Sequence, residues 1–232
     1  MMRRIGWLLS AVGVLVYPVL LVKDEAVYPV VRKFLRRIDG NFFPTQFARE
    51  FGTLHATMLV CVLIWILRPG MRRNLPILFA VALAAPFTCW LTQQSTSRLR
   101  PGQSEGKTVF EHPFQSLAPL WGGASPKQKA VSLPSGHATM AMTNATVLSA
   151  LMPPAAPVFY ILAVLVASRR VIEGDHFPSD VFLGLLLGYA LTRYAIFIAR
   201  RRGLWPMSGS FSPDANSADA HDTSNTHGDT NA

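Results

Sequence analysis

The stretch Ala130–Ser168 reads AVSLPSGHATMAMTNATVLSALMPPAAPVFYILAVLVAS and contains no Lys, Arg, Asp or Glu. Pro153-Pro154-Ala155-Ala156-Pro157 divides it into two apolar segments of helical length. A bilayer core asks for roughly 20 mostly apolar residues per helix, because backbone amides left unpaired in hydrocarbon are costly. Two such segments joined by a Pro-rich turn read as a pair of antiparallel membrane helices. At the mouth of the first stands Pro134-Ser135-Gly136-His137. A titratable ring, a hydroxyl and a glycine at that place suit catalysis at a membrane surface.

The same pattern extends outward in both directions. Ile5–Val22, Phe51–Leu67 and Asn74–Ser97 also lack charge, and Val181–Ala199 is broken only by Arg193. Of the 232 residues 50% are hydrophobic and 15% charged, against roughly 25% charged in soluble domains. The alternative, a soluble all-helical protein, has to bury all these runs inside one short chain. The reading is therefore an all-α bundle of six transmembrane helices, at about Ile5–Val22, Thr53–Leu67, Leu75–Thr92, His137–Leu151, the segment ending near Ser168, and Asp180–Ala199. The first run ends at Lys23-Asp24-Glu25 without a small-residue cleavage pattern, so it reads as a retained helix. Lys23–Glu50 is polar and amphipathic, either an interfacial helix lying on the bilayer or a solvated loop helix. Residues 1–205 form the membrane domain. The tail 206–232 is polar, acidic and without apolar period, and is expected to be disordered.

Charge and cysteine usage narrow the partners. The net charge is +9, but the basic residues gather at the ends of apolar runs: Arg3-Arg4, Arg68 with Arg72-Arg73, and Arg200-Arg201-Arg202. That placement fits anionic lipid headgroups and a bilayer rather than nucleic acid. Cys61 and Cys89 lie inside apolar runs and offer neither a disulfide framework nor metal spacing. His55, within the second run, reads as a packed or interhelical residue. With six helices both chain ends share a side, and the compact basic clusters beside the helix ends favour that side as cytoplasmic. The three polar islands of the chain then face the other compartment together.

Those islands are Ser97-Arg98-Leu99-Arg100-Pro101, then Pro134-Ser135-Gly136-His137, then Arg170 through His176 to Asp180. Together they form a kit for an oxyanion, with phosphate the natural candidate. Arginine offers planar bidentate donors to phosphate oxygens. Ser135 adds a hydroxyl, Gly136 an amide with no side chain in the way, and the helix starting at His137 points its amide end at the same place. His176 and Asp180 at i and i+4 let a carboxylate hold one imidazole nitrogen while the other presents a lone pair. A second imidazole, His137, supplies a proton to a leaving oxygen. Blander readings exist for each residue alone: Arg170 as a snorkelling helix end, Asp180 as a helix N-cap, and His137, His176 and Asp180 as metal ligands. The arginines suit an anion better than a cation.

The three islands resemble the motifs of the type 2 phosphatidic acid phosphatase superfamily, which also includes vanadium haloperoxidases. The family pattern is Lys-x6-Arg-Pro, Pro-Ser-Gly-His, and Ser-Arg-x5-His-x3-Asp. Arg100-Pro101, Pro134–His137, and Arg170, His176 and Asp180 match it in family order. The resemblance implies a membrane lipid phosphatase that needs no metal or other cofactor. His176 is the expected nucleophile, Asp180 its orienting carboxylate and His137 the general acid. Arg100, Ser135, Gly136 and Arg170 are the expected phosphate ligands. Gln93 stands at the family lysine and Arg169 at the family serine, so Arg98 or Arg169 is expected to restore the missing charge. Expected substrates are phosphatidate, phosphatidylglycerol phosphate, undecaprenyl diphosphate or a lipid A type phosphate. The expected place is a bacterial inner membrane with the site facing the periplasm or outside. Phosphoryl transfer to another lipid, or lipid binding or transport without turnover, are the alternatives.

Overall fold

A computed structural model of the chain describes residues 2–39, 48–67, 69–110 and 131–204, with side chains outside the description at 2–11, 39, 67 and 71. The expected tail 206–232 lies outside the described residues, as does the middle of the long polar connection at 111–130.

The helices in chain order are α1 (Met2–Asp39), α2 (Leu54–Leu67), α3 (Leu75–Thr96), α4 (Gly136–Leu151), α5 (Ala156–Glu173) and α6 (Pro178–Arg201). A 3-10 turn at Pro69–Asn74 joins α2 to α3, and another at Pro153–Ala155 joins α4 to α5. No strand occurs among the described residues. Two isolated bridges, Arg98 with Phe110 and Leu99 with Val131, are the nearest approach to one. Arg72–Thr96, Pro153–Glu173 and Pro178–Arg201 are long and apolar enough to cross a membrane, and Leu54–Ile66 is a shorter apolar helix. Their outward faces carry Leu59, Leu63, Phe79, Leu83, Phe87, Val158, Ile161 and Val164, all exposed. Apolar exposure on that scale is foreign to the surface of a soluble monomer and native to a lipid-facing one.

Two helices outrun the apolar segments that announce them. The separate amphipathic segment expected after Val22 is instead the second half of α1, which continues unbroken to Asp39. Lys23-Asp24-Glu25 ends an apolar run but not a helix, because all three residues are tolerated in helical backbone. Pro18 and Pro29 lie inside the helix without ending it, and Gly40 follows its last residue in the sequence. At 1.5 Å per residue α1 is about 57 Å long, nearly twice a hydrocarbon core of about 30 Å. Likewise α5 runs past Ser168 to Glu173, stopping only where Gly174 takes a left-handed φ of +82°. Both extensions carry charged residues on rigid backbone to one end of the bundle.

The core sits on α4, whose Ala138, Thr139, Ala141, Thr143 and Ala145 are buried against α3, α5 and α6. Gly184 and Gly188 let α6 pass close to it. A Cβ on Gly184 would come within 2.6 Å of the Ser135 carbonyl, and one on Gly188 would overlap the Thr139 carbonyl. With Thr192, fully buried one turn on, they form a small-residue seam of the kind that lets membrane helices pack backbone to backbone. Thr57 on α2 donates to Asn144 Oδ1 at 2.7 Å, and Asn144 donates to the Phe51 carbonyl at 2.8 Å. His55, expected to be packed, is exposed; the interhelical polar contact belongs to Thr57, which faces α4.

Candidate active site

Backbone hydrogen bonds tie the three polar islands into one structure. The chain turns at Ser97, which caps α3 in a left-handed conformation at φ 46°. Gly102 N–H then donates to the Gly174 carbonyl at 3.1 Å, joining the first island to the third. Ser132 N–H donates to the Arg98 carbonyl at 2.8 Å, joining the second to the first, and Ser135 N–H donates to the Asp180 carbonyl at 3.0 Å, joining the second to the third. The end of α3 grips the second island with side chains. Gln93 Nε2 donates to the Pro134 carbonyl at 2.7 Å, and Thr96 Oγ1 to the Leu133 carbonyl at 3.0 Å. The residue at the family lysine position thus holds the Pro-Ser-Gly-His loop.

His176 lies in the loop between α5 and α6 and is 2% exposed. Its Nδ1 is 2.8 Å from the Ser132 carbonyl. A carbonyl only accepts, so Nδ1 carries the proton and Nε2 is left with the lone pair. Asp180 Oδ2 is 4.0 Å from the same Nδ1, beyond hydrogen-bond reach. The tautomer expected from Asp180 is therefore set by a backbone carbonyl. Asp180 itself is fully buried in the first turn of α6, accepting from the Phe177 N–H at 2.8 Å and from Arg98 Nη1 at 2.6 Å. Burial pushes the His176 ring well below the usual histidine pKa, and the guanidinium charges of Arg170 and Arg100 push the same way; the Ser132 carbonyl opposes them. The ring is neutral near pH 7.

Arg100 and Arg170 meet on Asp175. Arg100 Nη1 is 2.8 Å from Asp175 Oδ1, and Arg170 Nη2 pairs with Asp175 Oδ2. Arg170 also pairs through Nη1 with Glu173. The two forks thus share one carboxylate, directly before His176 in the chain. Ser135 precedes α4 and is fully buried, and its hydroxyl has no hydrogen-bond partner among the described residues. Gly136 opens α4, where backbone N–H groups have no intrahelical acceptor. His137 follows it, within the electrostatic field of Arg170, Arg49, Glu173 and Asp175, and it acts in turn on His176. The structure therefore brings Arg100, Ser135, Gly136, His137, Arg170, His176 and Asp180 to one end of the bundle.

Neither arginine expected to replace the missing lysine charge is free to do so. Arg98 is fully buried, with Nη2 2.8 Å from Asp24 and Nη1 2.6 Å from Asp180, and its guanidinium lies 4.1 Å from the centre of the Phe177 ring. Arg169 pairs with Glu173 at 3.0 Å. Asp24, on the extended part of α1, is the participant the sequence reading misses. It accepts from Arg98, from the Ser179 backbone N–H at 3.1 Å and from the Ser179 hydroxyl. Its only sequence signal is a carboxylate two residues beyond a charge-free run. Among the described residues no three His, Cys, Asp or Glu side chains gather as a metal ligand set.

Comparison with known proteins agrees on the region. The model of the PAP2 superfamily matches residues 73–203. The chain is 27% identical over 145 residues to a lipid A 1-phosphatase of Rhizobium etli, covering 59% of each protein. It is 28% identical over 126 residues to a lipid A 1-phosphatase of Rhizobium johnstonii, covering 51% of this chain and 48% of that one. The chain thus spans about half the length of the curated relatives it matches. No solved structure matches it significantly.

Proposed function

Because the chain belongs to the PAP2 superfamily, we propose that it is an integral membrane phosphatase that removes a phosphate from a lipid by way of a phosphohistidine. The observation that carries this reading is His176: a neutral ring, its Nδ1 proton fixed on the Ser132 carbonyl, in the combined field of Arg100, Arg170 and His137. Its Nε2 lone pair attacks phosphorus while the bond to the leaving oxygen breaks. His137, protonated for this step, gives its proton to that oxygen. Neutral His137 then takes a proton from water, whose oxygen attacks phosphorus and breaks the P–N bond. Inorganic phosphate leaves and both rings return to their starting states.

The remaining residues hold charge. Arg100, Arg170, the Ser135 hydroxyl and the Gly136 amide grip the three equatorial oxygens as charge spreads over them. A buried hydroxyl without a partner costs about 1–3 kcal/mol, and a phosphate oxygen would satisfy Ser135. Asp175 releases the two arginines to the substrate. The Asp180 carboxylate, 4.0 Å from Nδ1, favours the positive charge the ring acquires on phosphorylation. None of these roles asks for a metal. The relatives' names support a lipid A type phosphate as substrate, with phosphatidate, phosphatidylglycerol phosphate and undecaprenyl diphosphate as the other amphiphiles of suitable chemistry. The site is assigned to the periplasmic face of a bacterial inner membrane.

Phosphate release from a panel of these lipids, with and without chelator, tests the proposal. The expected result is chelator-resistant release that His176→Ala reduces to background while the protein stays in the membrane. The acid limb of the pH profile should lie below pH 6.5, since a depressed ring pKa keeps the nucleophile unprotonated further into acid. Chelator-sensitive release, or activity retained in His176→Ala, would overturn it. Lipid binding without release by the unaltered chain would favour the non-catalytic reading, and a phosphorylated lipid product the phosphotransferase reading.

A further inference from the structure

Asp24 is fully buried on α1, and the proposed reaction gives it no part. It stands outside residues 73–203, the span matched by the family. A carboxylate taken out of water is costly unless it is paired, and both oxygens of Asp24 are engaged. Oδ1 accepts from the Ser179 N–H at 3.1 Å, and Oδ2 from the Ser179 hydroxyl and from Arg98 Nη2 at 2.8 Å. Arg98 carries the contact onward, its Nη1 donating to Asp180 Oδ1 at 2.6 Å. Asp180 Oδ2 is left to the Phe177 N–H at 2.8 Å and faces His176 Nδ1 at 4.0 Å. A continuous chain of contacts thus runs from α1 to the His176 ring.

How Arg98 divides itself between two carboxylates decides what Asp180 offers the ring. A guanidinium favours two parallel bonds to one carboxylate. Arg98 instead gives one nitrogen to Asp24 and the other to Asp180. Two carboxylates on one guanidinium also leave these ion pairs one negative charge beyond neutrality, buried beside His176. Neutrality needs Arg98 and Asp180 alone, so for the fold the charge of Asp24 is surplus. For a ring that turns cationic when phosphorylated, the same surplus is complementary.

We propose that Asp24 is a positioning residue for the phosphatase reaction: by holding Nη2 of Arg98 it keeps that arginine from closing both nitrogens on Asp180, and so keeps Asp180 Oδ2 directed at His176. This rests on the phosphatase reading and adds to it a residue of α1. Without the Asp24 carboxylate, Arg98 pairs bidentately with Asp180 and neutralises it on the side of the ring. The phosphohistidine then loses its counter-charge, and the P–N bond forms more slowly. The grip of Arg100, Arg170 and Ser135 on phosphate is untouched.

The test is Asp24→Asn in the full chain, assayed in phosphatidylcholine vesicles with a lipid phosphate that the unaltered chain hydrolyses. An amide turns one of the two accepting oxygens into a donor, so it cannot serve both Ser179 and Arg98 as the carboxylate does. The expected result is a fall in kcat of roughly tenfold, with KM and the inhibition constant for inorganic phosphate unchanged. Label should also appear more slowly on His176 in a single turnover. Glu25→Gln is the control for the docking of α1. Glu25 is exposed and accepts from the Thr108 N–H at 2.7 Å, so its loss loosens the same helix against the loop after α3 without touching Asp180. Its kinetics should equal those of the unaltered chain. An unchanged kcat in Asp24→Asn would overturn the inference. So would KM and phosphate inhibition moving together with kcat, or an equal loss in Glu25→Gln, since each marks a general loosening of the site. If Asp24→Asn does not fold, Ser179→Ala takes its place, removing the hydroxyl that bridges Asp24 Oδ2 and Arg98 Nη1. A severalfold fall in its kcat at constant KM is then expected, and an unchanged kcat overturns the inference. If the unaltered chain releases no phosphate from any lipid, it is the phosphatase reading that fails, and this extension falls with it.

Discussion

The Asp175 carboxylate occupies the donors that the proposed reaction assigns to phosphate. It accepts from Arg100 at 2.8 Å and from Arg170, so a substrate phosphate competes with it for both forks. Asp175→Asn removes the competing charge while keeping the side chain's shape. Inorganic phosphate should then inhibit several-fold more strongly, since charge-assisted pairs to arginine are about twice as strong as neutral ones. Measured inhibition constants for phosphate decide it, and an unchanged or weakened inhibition would mean that Asp175 orders the arginines rather than competing for them. At this scale much was legible in the sequence. The spacing of Arg170, His176 and Asp180 and the order of the three islands pointed to one anion site, and the structure brings these residues together. The atoms that fix them were not legible. The partner of His176 Nδ1 is a main-chain carbonyl 44 positions away, and every residue has a carbonyl. Gln93 stood out as a departure from the family pattern, but its bond to the Pro134 carbonyl depends on how α3 ends against the loop.

Helix ends account for most of what the sequence reading misplaced. An apolar run reports where lipid or core contact stops, whereas a helix stops at backbone breakers. Hence α1 continues 17 residues beyond Val22 to Asp39, and α5 continues through Arg169 and Arg170 to Glu173. The first extension delivers Asp24 to Arg98 across a sequence separation of 74 residues, too far for any local pattern to show. Together Asp24, Arg98, Ser179 and Asp180 pin α1 and the start of α6 to the loop after α3. Both charged partners of Arg98 are fully buried, so Arg98→Met strands two carboxylates. Breaking a buried pair from one side costs about 3–5 kcal/mol. The variant should show a markedly lower melting temperature in detergent. A melting temperature equal to that of the unaltered chain would mean that the cluster contributes little to holding the elements together.

The whole molecule combines an apolar exterior with a polar end. Three helical stretches are long and apolar enough to cross a bilayer, and all seven residues expected to form the site lie at one end of the bundle. The loop that carries His176 is held there by backbone bonds among three islands that the sequence separates by tens of residues. The small-residue seam of Gly184, Gly188 and Thr192 draws α6 against α4, which brings the Asp180 end of one helix to the Ser135 end of the other. The general architecture, all-helical with apolar runs, was readable from the distribution of charge alone. The seam was not, because glycine in an apolar run carries no sign of what it packs against.

The central claim is that phosphorus becomes bonded to His176. Rapid acid-free quenching of the protein with a radiolabelled lipid phosphate, followed by peptide mapping, tests it most directly. The account predicts an acid-labile, alkali-stable label on the peptide containing His176, absent from His176→Ala and prolonged when His137→Ala slows attack by water. A label on any other residue, or steady turnover in His176→Ala with no labelled histidine, would contradict it.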